Sequence, residues 1–382
     1  MASQSFPKSQ TIAVVTIAVV AGCVPPLQPM LLGGLLAEGR IGAAAMGYAA
    51  AAEGLGMVIG TTLASALLAP RRLRLIAVLA LLAVMAANVM TIAMPPPGII
   101  AARGLSGLGN GILFWVFVGM LARSELPTRL FGTYYSANAA LVFLTSVFLA
   151  SSAAGRSASL LGYGFLIALY VPLLLAIRFA PNDYADLRQG DGDLALPPLW
   201  GFSALAAVIL FLAGVMSFWI YSVPLGHQAG IATQSMKAIV GAGTGVQILG
   251  GLAAISLATR LSGTGVVIFT AGGGLLAVMA TLTSSDMLVW ASAVSILAFC
   301  WMFGLPFHIA FLNDADPTRR ASMFVGTAQL VGLTIGPLLA SPMISARNYV
   351  PASYAAIGCF ALALLLAVGI GAKGRFRRFS PA

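Results

Sequence analysis

Arg103-Gly104-Leu105-Ser106-Gly107-Leu108-Gly109-Asn110-Gly111 is the stretch on which the reading of this chain turns. Arg103 is the one charged residue between Leu75 and Ala122, so it stands alone in a long apolar run. Inside a membrane an arginine costs about 2.5–3.5 kcal/mol even on a lenient insertion scale, and it therefore needs a partner or a polar cavity. Gly107 and Gly111 are four residues apart and share one helical face, which lets a second helix approach closely.

Outward from that stretch the chain is uniformly poor in charge. Its 382 residues include 20 basic and 10 acidic ones, 8% charged against 60% hydrophobic. A soluble domain carries roughly a quarter charged residues. The mean hydropathy is +0.99. These values exclude a disordered chain, a collagen-like repeat and a disulfide-stapled scaffold, and they leave too little polar surface for a soluble enzyme. The chain reads as an integral membrane protein.

The charges fall between apolar runs of about 20 residues, the length a helix needs to cross about 30 Å of hydrocarbon. Twelve spans are predicted, at 11–35, 43–69, 75–94, 98–121, 132–153, 160–179, 200–223, 236–258, 264–284, 287–310, 321–343 and 351–371. The fold class is thus all-α, because unpaired backbone groups are excluded from lipid and no alternating ten-residue segments suggest a β-barrel.

Twelve spans place both termini on one side. That side holds Lys8, Arg71, Arg72, Arg74, Arg123, Arg129, Arg178, Arg188, Arg260, Arg319, Arg320, Lys373, Arg375, Arg377 and Arg378. The other holds only Arg40, Arg156, Lys237 and Arg347. The positive-inside rule then puts both termini in the cytoplasm of a cell inner membrane. The net charge of +10 is accounted for by topology, so no nucleic-acid partner is inferred, and the basic tail is expected to lie against anionic headgroups. The first apolar run is too long for a signal peptide.

Pro181 to Pro198 is the longest hydrophilic stretch and holds Asp183, Asp186, Asp191 and Asp193. It divides the chain into an N-terminal six-helix bundle at 1–180, a cytoplasmic linker at 181–199, and a C-terminal bundle with its basic tail at 200–382. Thr128-Arg129 and Thr318-Arg319 recur at a shift of 190, as do Leu149-Ala150-Ser151 and Leu339-Ala340-Ser341. Two such halves joined by a linker point to a secondary transporter, with solute bound between them near the midplane.

Arg103 followed by Gly107, Gly109 and Gly111 resembles the span-four motif of the major facilitator superfamily. The resemblance in span count, halves, linker and motif covers essentially the whole chain. It implies two pseudo-symmetric six-helix bundles working by alternating access. The family's loop motif between spans two and three, Gly-x-Leu-Ala-Asp-Arg-x-Gly-Arg, is degenerate here: Ala66-Leu67-Leu68-Ala69-Pro70-Arg71-Arg72-Leu73-Arg74 keeps the basic residues and loses the acid. Span five lacks the glycine-proline signature of antiporters, which appears instead in span eleven at Gly332 and Gly336-Pro337.

Glu53 is the one acidic residue deep within a span, and it reads as the proton-coupling acid or as half of a fixed ion pair with Arg103. Arg103 has a further alternative, hydrogen bonds to span-one carbonyls freed by Pro25, Pro26 and Pro29. Facing a cavity, it favours an anionic solute. Asn110, Gln28, Asn138 and Gln329 are the other candidates for the pocket, and Asn138 and Gln329 stand 191 apart. Arg71, Arg74, Asp314 and Arg319 are candidates for a cytoplasmic gate, with Asp316 and Arg320 in the same loop. Trp219 and Tyr221 read as an interfacial belt near the end of span seven. Gln247 reads as helix glue or cavity lining, His308 as an interfacial or packing residue or a proton relay, and His227 as a loop residue. Cys23, Cys300 and Cys359 read as buried small hydrophobes.

The function expected is secondary active transport of a small organic solute, proton-coupled, either efflux of drug-like compounds or uptake of a carboxylate-bearing metabolite. An uncoupled facilitator of the same fold is the alternative, and a polytopic membrane enzyme or sensor a more distant one. No Walker loop, metal cluster or haem pair is visible, so no cofactor and no enzyme activity are expected. Solute, protons and lipid are the expected partners, and a monomer the expected state.

Overall fold

The structure, a computed structural model, describes residues 6–121, 123, 124, 127–151, 157–185 and 196–379, with the side chains of all of these except 127–129 and 374–379. Arg156, Arg188, Asp186, Asp191 and Asp193 lie outside the described residues, as do the side chains of Arg129, Arg375, Arg377 and Arg378.

Every regular element among the described residues is helical, and 12 helical segments are long and apolar enough to cross a membrane. Six of them, spans one to six, are Lys8–Ala37, Ala43–Leu67, Leu73–Ala93, Pro96–Leu121, Leu130–Ser151 and Ala158–Phe179. Spans seven to twelve are Leu199–Gln228, Thr233–Leu257, Gly263–Thr283, Met287–Gly304, Ala321–Met343 and Val350–Lys373. The first six fall in one compact unit, Met1–Gly192, and the rest in a second, Asp193–Ala382. The agreement with the predicted spans follows largely from the charges between the apolar runs, while Pro95, Pro96 and Pro97 mark the junction of spans three and four, where no charge falls.

Span one is interrupted. Its helices, Lys8–Ala21 and Val24–Ala37, meet at Gly22 and Cys23, just before Pro25 and Pro26 remove two amide donors. The Cys23 amide then bonds the Val20 carbonyl at 3.3 Å, one residue short of the helical pattern. That leaves the Val19 carbonyl for Asn138, whose Nδ2 donates to it at 2.9 Å.

Spans two and four pack with their backbones in near contact. A methyl group at Gly107 would overlap the Glu53 carbonyl, one at Gly56 the Gly104 carbonyl, and one at Gly111 the Met57 carbonyl. Gly107 and Gly111 are therefore packing residues, and they bring Arg103 against span two.

Residues 180–184 belong to the first unit. Leu73 N donates to Asn182 O at 2.7 Å, Tyr184 N to Pro70 O at 2.8 Å, and Arg74 Nε to Ala180 O at 2.7 Å. Tyr184 is buried among aromatic and aliphatic side chains of the unit.

At the opposite end of the unit, Glu38 holds the start of span six. It accepts from Ser159 N at 2.7 Å and from the hydroxyls of Ser157 and Ser159. Arg40 bonds the Thr91 and Met94 carbonyls at 3.0 and 3.1 Å. The second unit repeats the device: Gln228 Oε1 accepts from Tyr349 N at 2.7 Å, and 38 to 228 and 159 to 349 are each a shift of 190. Partial burial works to raise the Glu38 pKa, but the serine donors and Arg40 outweigh it and hold the carboxyl below its ordinary 4.5. A carboxyl depressed in the folded state stabilises above its unfolded value, and that contribution disappears as pH falls through the folded value. The melting temperature in detergent is expected to drop below about pH 4.5 in the wild type, and the Glu38→Gln variant, already less stable at pH 7, to lose part of that dependence.

Two assignments change in the second unit, and for His308 one alternative is removed. Trp219 and Tyr221 are fully buried instead of interfacial, because the helix of span seven runs on to Gln228 and carries both inward from its end. Trp219 packs edge-on against Trp301 at 5.7 Å. His227 lies in the last turn of that helix rather than in a loop. His308 is fully buried, not interfacial, on a short helix, Phe307–Ala315, that begins after Pro306. All three cysteines are buried and free.

Candidate functional site

The polar centre of the first unit is built on spans two, three, four and six and the second helix of span one. Arg103 and Glu53 form an ion pair, and their side chains are each 1% exposed. The pair reflects elementary electrostatics, since either charge alone in this setting would cost several kcal/mol.

The remaining donors and acceptors are largely satisfied in place. Arg103 Nη1 donates to Asn88 Oδ1 at 2.9 Å and to Thr91 Oγ1 at 3.3 Å, while Nη2 reaches Glu53 Oε1 and the Ser106 hydroxyl. Ser106 also donates to Glu53 Oε1 at 3.0 Å, and Gln28 Nε2 to Glu53 Oε2 at 3.3 Å. Thr91 sends its own proton to Ala87 O at 2.8 Å, which leaves its lone pairs facing the guanidinium. The Tyr163 ring lies 5.0 Å from the Arg103 guanidinium carbon, in cation–π range.

Spans four and six meet twice on the same faces, seven residues apart. Arg103 sits against Tyr163, and Asn110 Oδ1 accepts from the Tyr170 hydroxyl at 3.0 Å. Gln28 Oε1, Asn110 Nδ2, Asn88 Nδ2 and Arg103 Nε are buried without a hydrogen-bond partner among the described residues. The centre thus pairs a balanced charge with unused hydrogen-bonding capacity of both signs.

The structure brings together Glu53, Arg103 and Gln28, with Asn110 two turns further along span four. Asn138 serves the broken helix of span one, and Gln329 belongs to the other unit. Gln329 Nε2 is 3.1 Å from His308 Nδ1 and 3.4 Å from the Leu305 carbonyl. Arg103 does not reach span-one carbonyls; its acceptors come from spans two, three and four. Asn88, Thr91, Ser106 and Tyr163 are additions that the sequence reading missed. Asn88 and Thr91, three residues apart on one helical face, are the signal that was available.

Of the gate candidates, Arg74 is tied to Ala180, while Asp314 accepts from Thr264 N and Oγ1 at 3.1 and 2.8 Å. Arg319 takes a left-handed backbone conformation, φ 60°. The Asp316 carboxylate accepts from Thr318 and the Ala321 amide, its carbonyl accepts from Arg319 N at 3.0 Å, and it pairs with no arginine side chain among the described residues. Arg71 is exposed. These contacts each stay within one unit.

Among the described residues the second unit has no equivalent pair. At the 190-residue shift Glu53, Arg103 and Asn88 correspond to Gly243, Ala293 and Val278. Trp219 and Val294 occupy the space a side chain at Gly243 would need. The ionisable centre is therefore asymmetric between the repeats.

Two bundles of six spans, each with a short-loop helical core, define a polytopic helical membrane protein. No known protein-family profile matches the chain, and no curated protein matches it by sequence. Among solved structures it is similar to the nucleoside transporter NupG, with a TM-score of 0.72 and 12% identity over 95% of this chain and 98% of that one. It is also similar to a D-xylose-proton symporter, at a TM-score of 0.70 and 14% identity over 96% and 97%. The xylose transporter XylE from E. coli, in a partially occluded inward-open conformation, gives 0.72 and 12% over 98% and 100%. The chain has the twelve-span fold of the major facilitator superfamily.

Proposed function

We propose that the chain is a secondary active transporter that moves a small organic solute across the cytoplasmic membrane by alternating access, with both termini inside. Glu53 carries the coupling proton, and Arg103 organises the solute pocket. The buried Glu53–Arg103 pair carries this reading, because a charge-balanced pair in a membrane interior has a cost that a fixed packing role alone does not require. Similarity to a nucleoside transporter and to a xylose–proton symporter supports transport as the class of function.

The chemistry follows from the pair. Ionised, Glu53 neutralises Arg103 and competes with any anion for it. When a proton adds to a Glu53 carboxylate oxygen, the attraction is lost and the guanidinium, permanently charged, is left uncompensated. A carboxylate on the solute then replaces the missing partner in bidentate geometry. Gln28 Oε1 and Asn110 Nδ2 supply an acceptor and a donor for its neutral groups. Release on the other side lets Glu53 ionise and the pair close again. This cycle favours a carboxylate-bearing solute over a drug-like one.

The test is a reconstituted vesicle assay with an internal pH-sensitive dye, scanning carboxylates, pentoses and nucleosides against an imposed proton gradient. A carboxylate is expected to move protons with the wild type and not with Glu53→Gln. Solute-dependent proton flux of wild-type size in Glu53→Gln would sink the assignment.

A further inference from the structure

Span ten does not run straight into the segment that follows it. Its helix ends at Gly304, and the short helix Phe307–Ala315 begins after Pro306, which has no amide proton to give the Met302 carbonyl. The Leu305 carbonyl at this joint is held by two long bonds, from His308 N and from Gln329 Nε2 of span eleven, each at 3.4 Å. The same Gln329 nitrogen lies 3.1 Å from His308 Nδ1. In the first unit Asn138, 191 residues earlier, holds the break in span one through the Val19 carbonyl. Each unit thus has a broken helix tied by a side-chain amide, and in the second a titratable ring shares the tie.

The Leu305 carbonyl decides the roles at this tie. It can only accept, so the Gln329 atom facing it is the NH2 group, and that group donates to His308 Nδ1 as well. The imidazole is then neutral and carries its proton on Nε2. That nitrogen has no hydrogen-bond partner among the described residues, and the ring is fully buried, 5.6 Å from the edge-on ring of Phe211. Gln329, which covers Nδ1, is only half-buried. Among the described residues no titratable or charged side chain of spans seven, nine, ten, eleven or twelve faces the ring. The acids nearest in sequence, Asp314 and Asp316, accept from Thr264, Thr318 and Ala321.

We propose that His308 is a second proton-binding site and that Gln329 is the latch over it, released when a proton from solvent adds to Nδ1. The protonated ring has two N–H donors and nothing left to accept with. Gln329 then either keeps its NH2 group against an N–H, or turns its oxygen to the ring and sets it against the Leu305 oxygen. Neither arrangement keeps both bonds, and the enclosed ring would hold a charge without a counter-ion. The closed joint therefore keeps His308 neutral, and acid favours the parted joint, in which the imidazolium meets water. Because the closed form binds fewer protons than the parted one, opening increases as pH falls. The inference does not rest on Glu53 or on which solute is transported.

Hydrogen–deuterium exchange of the full-length protein in detergent micelles reads the joint without any solute. Exchange at residues 305–315 is compared at pH 7.5 and 5.5, with labelling times scaled to equal intrinsic rates. A ring that takes no proton when closed and titrates at about 6.5 when parted makes opening about tenfold more frequent at the lower pH. That pH lies above the range in which Glu38 is expected to titrate. His308→Asn leaves an acceptor near the place of Nδ1 and nothing to titrate, so its exchange is expected to be the same at both pH values. Gln329→Glu gives the imidazolium a counter-charge inside the closed joint and is expected to reverse the trend, with slower exchange at pH 5.5. Glu53→Gln is expected to keep the tenfold rise. No rise in the wild type overturns the proposal, as does a rise of the same size in His308→Asn. A rise lost in Glu53→Gln and kept in His308→Asn overturns it too, and leaves the assignment of Glu53 standing.

Discussion

Replacing Arg103 with methionine is expected to destabilise the first unit by about 3–5 kcal/mol, because it strands the Glu53 carboxylate without its counter-charge. The pair is fully enclosed, so water cannot take the lost partner's place. Ser106 and Gln28 would remain as donors to Glu53, which is less than the carboxylate needs. A second change in the same chain, Glu53→Gln, removes the uncompensated charge and is expected to recover most of the loss. The melting temperature of the single and double variants in detergent gives the coupling energy directly. An Arg103→Met protein as stable as the wild type would show that the pair does not hold spans two and four. Glu53→Gln alone also leaves a lone buried charge, the guanidinium, and is expected to destabilise as well, softened by the amide oxygen and by the Asn88, Thr91 and Ser106 acceptors that stay in place.

Gly107→Ala is the other change with a large expected effect. Its methyl group would meet the Glu53 carbonyl and α-carbon, which are backbone and cannot rotate away. Spans two and four would have to move apart along their whole contact, loosening the ion pair as well. Overpacking of this kind costs about 1–3 kcal/mol, and backbone against backbone belongs at or above the upper end. Gly104→Ala supplies the control on the same helix, because a methyl there has nothing nearer than Ala52 at 3.8 Å. The folded, monodisperse fraction after size exclusion is expected to collapse for Gly107→Ala and to match the wild type for Gly104→Ala. Equal yields would contradict the close approach of the two spans.

The architecture was legible because charges are scarce enough to act as punctuation. Arg103 apart, the arginines and lysines fall between apolar runs or at their ends, and most of the runs have the length of a membrane crossing. Glu53 and Arg103 were legible for the same reason: a buried charge among alanines and glycines has no bland surroundings to hide in. Their neutral partners were not. Asn88, Thr91 and Tyr163 sit in spans that are apolar on every side, and hydropathy does not fix how such a helix is rotated about its axis. For that reason Arg103 could be matched to proline-freed carbonyls of span one when its acceptors lie on spans two, three and four. Trp219 and Tyr221 were misplaced by a helix end, since nothing in Ser222-Val223-Pro224 shows that the helix continues through its proline to Gln228. The Glu38 and Gln228 caps show the converse: once contacts are known, a 190-residue repeat that was faint in residue identities is plain in hydrogen bonds.

The central claim is that Glu53 carries the proton that couples transport. Once a solute is identified, the most direct measurement compares two activities of Glu53→Gln in the same vesicles. One is exchange of labelled for unlabelled solute at equal pH, and the other is accumulation of solute driven by a pH gradient. A side chain that can no longer gain or lose a proton should leave exchange near the wild-type rate and abolish accumulation. Gradient-driven accumulation that persists at the wild-type level in Glu53→Gln would contradict the account.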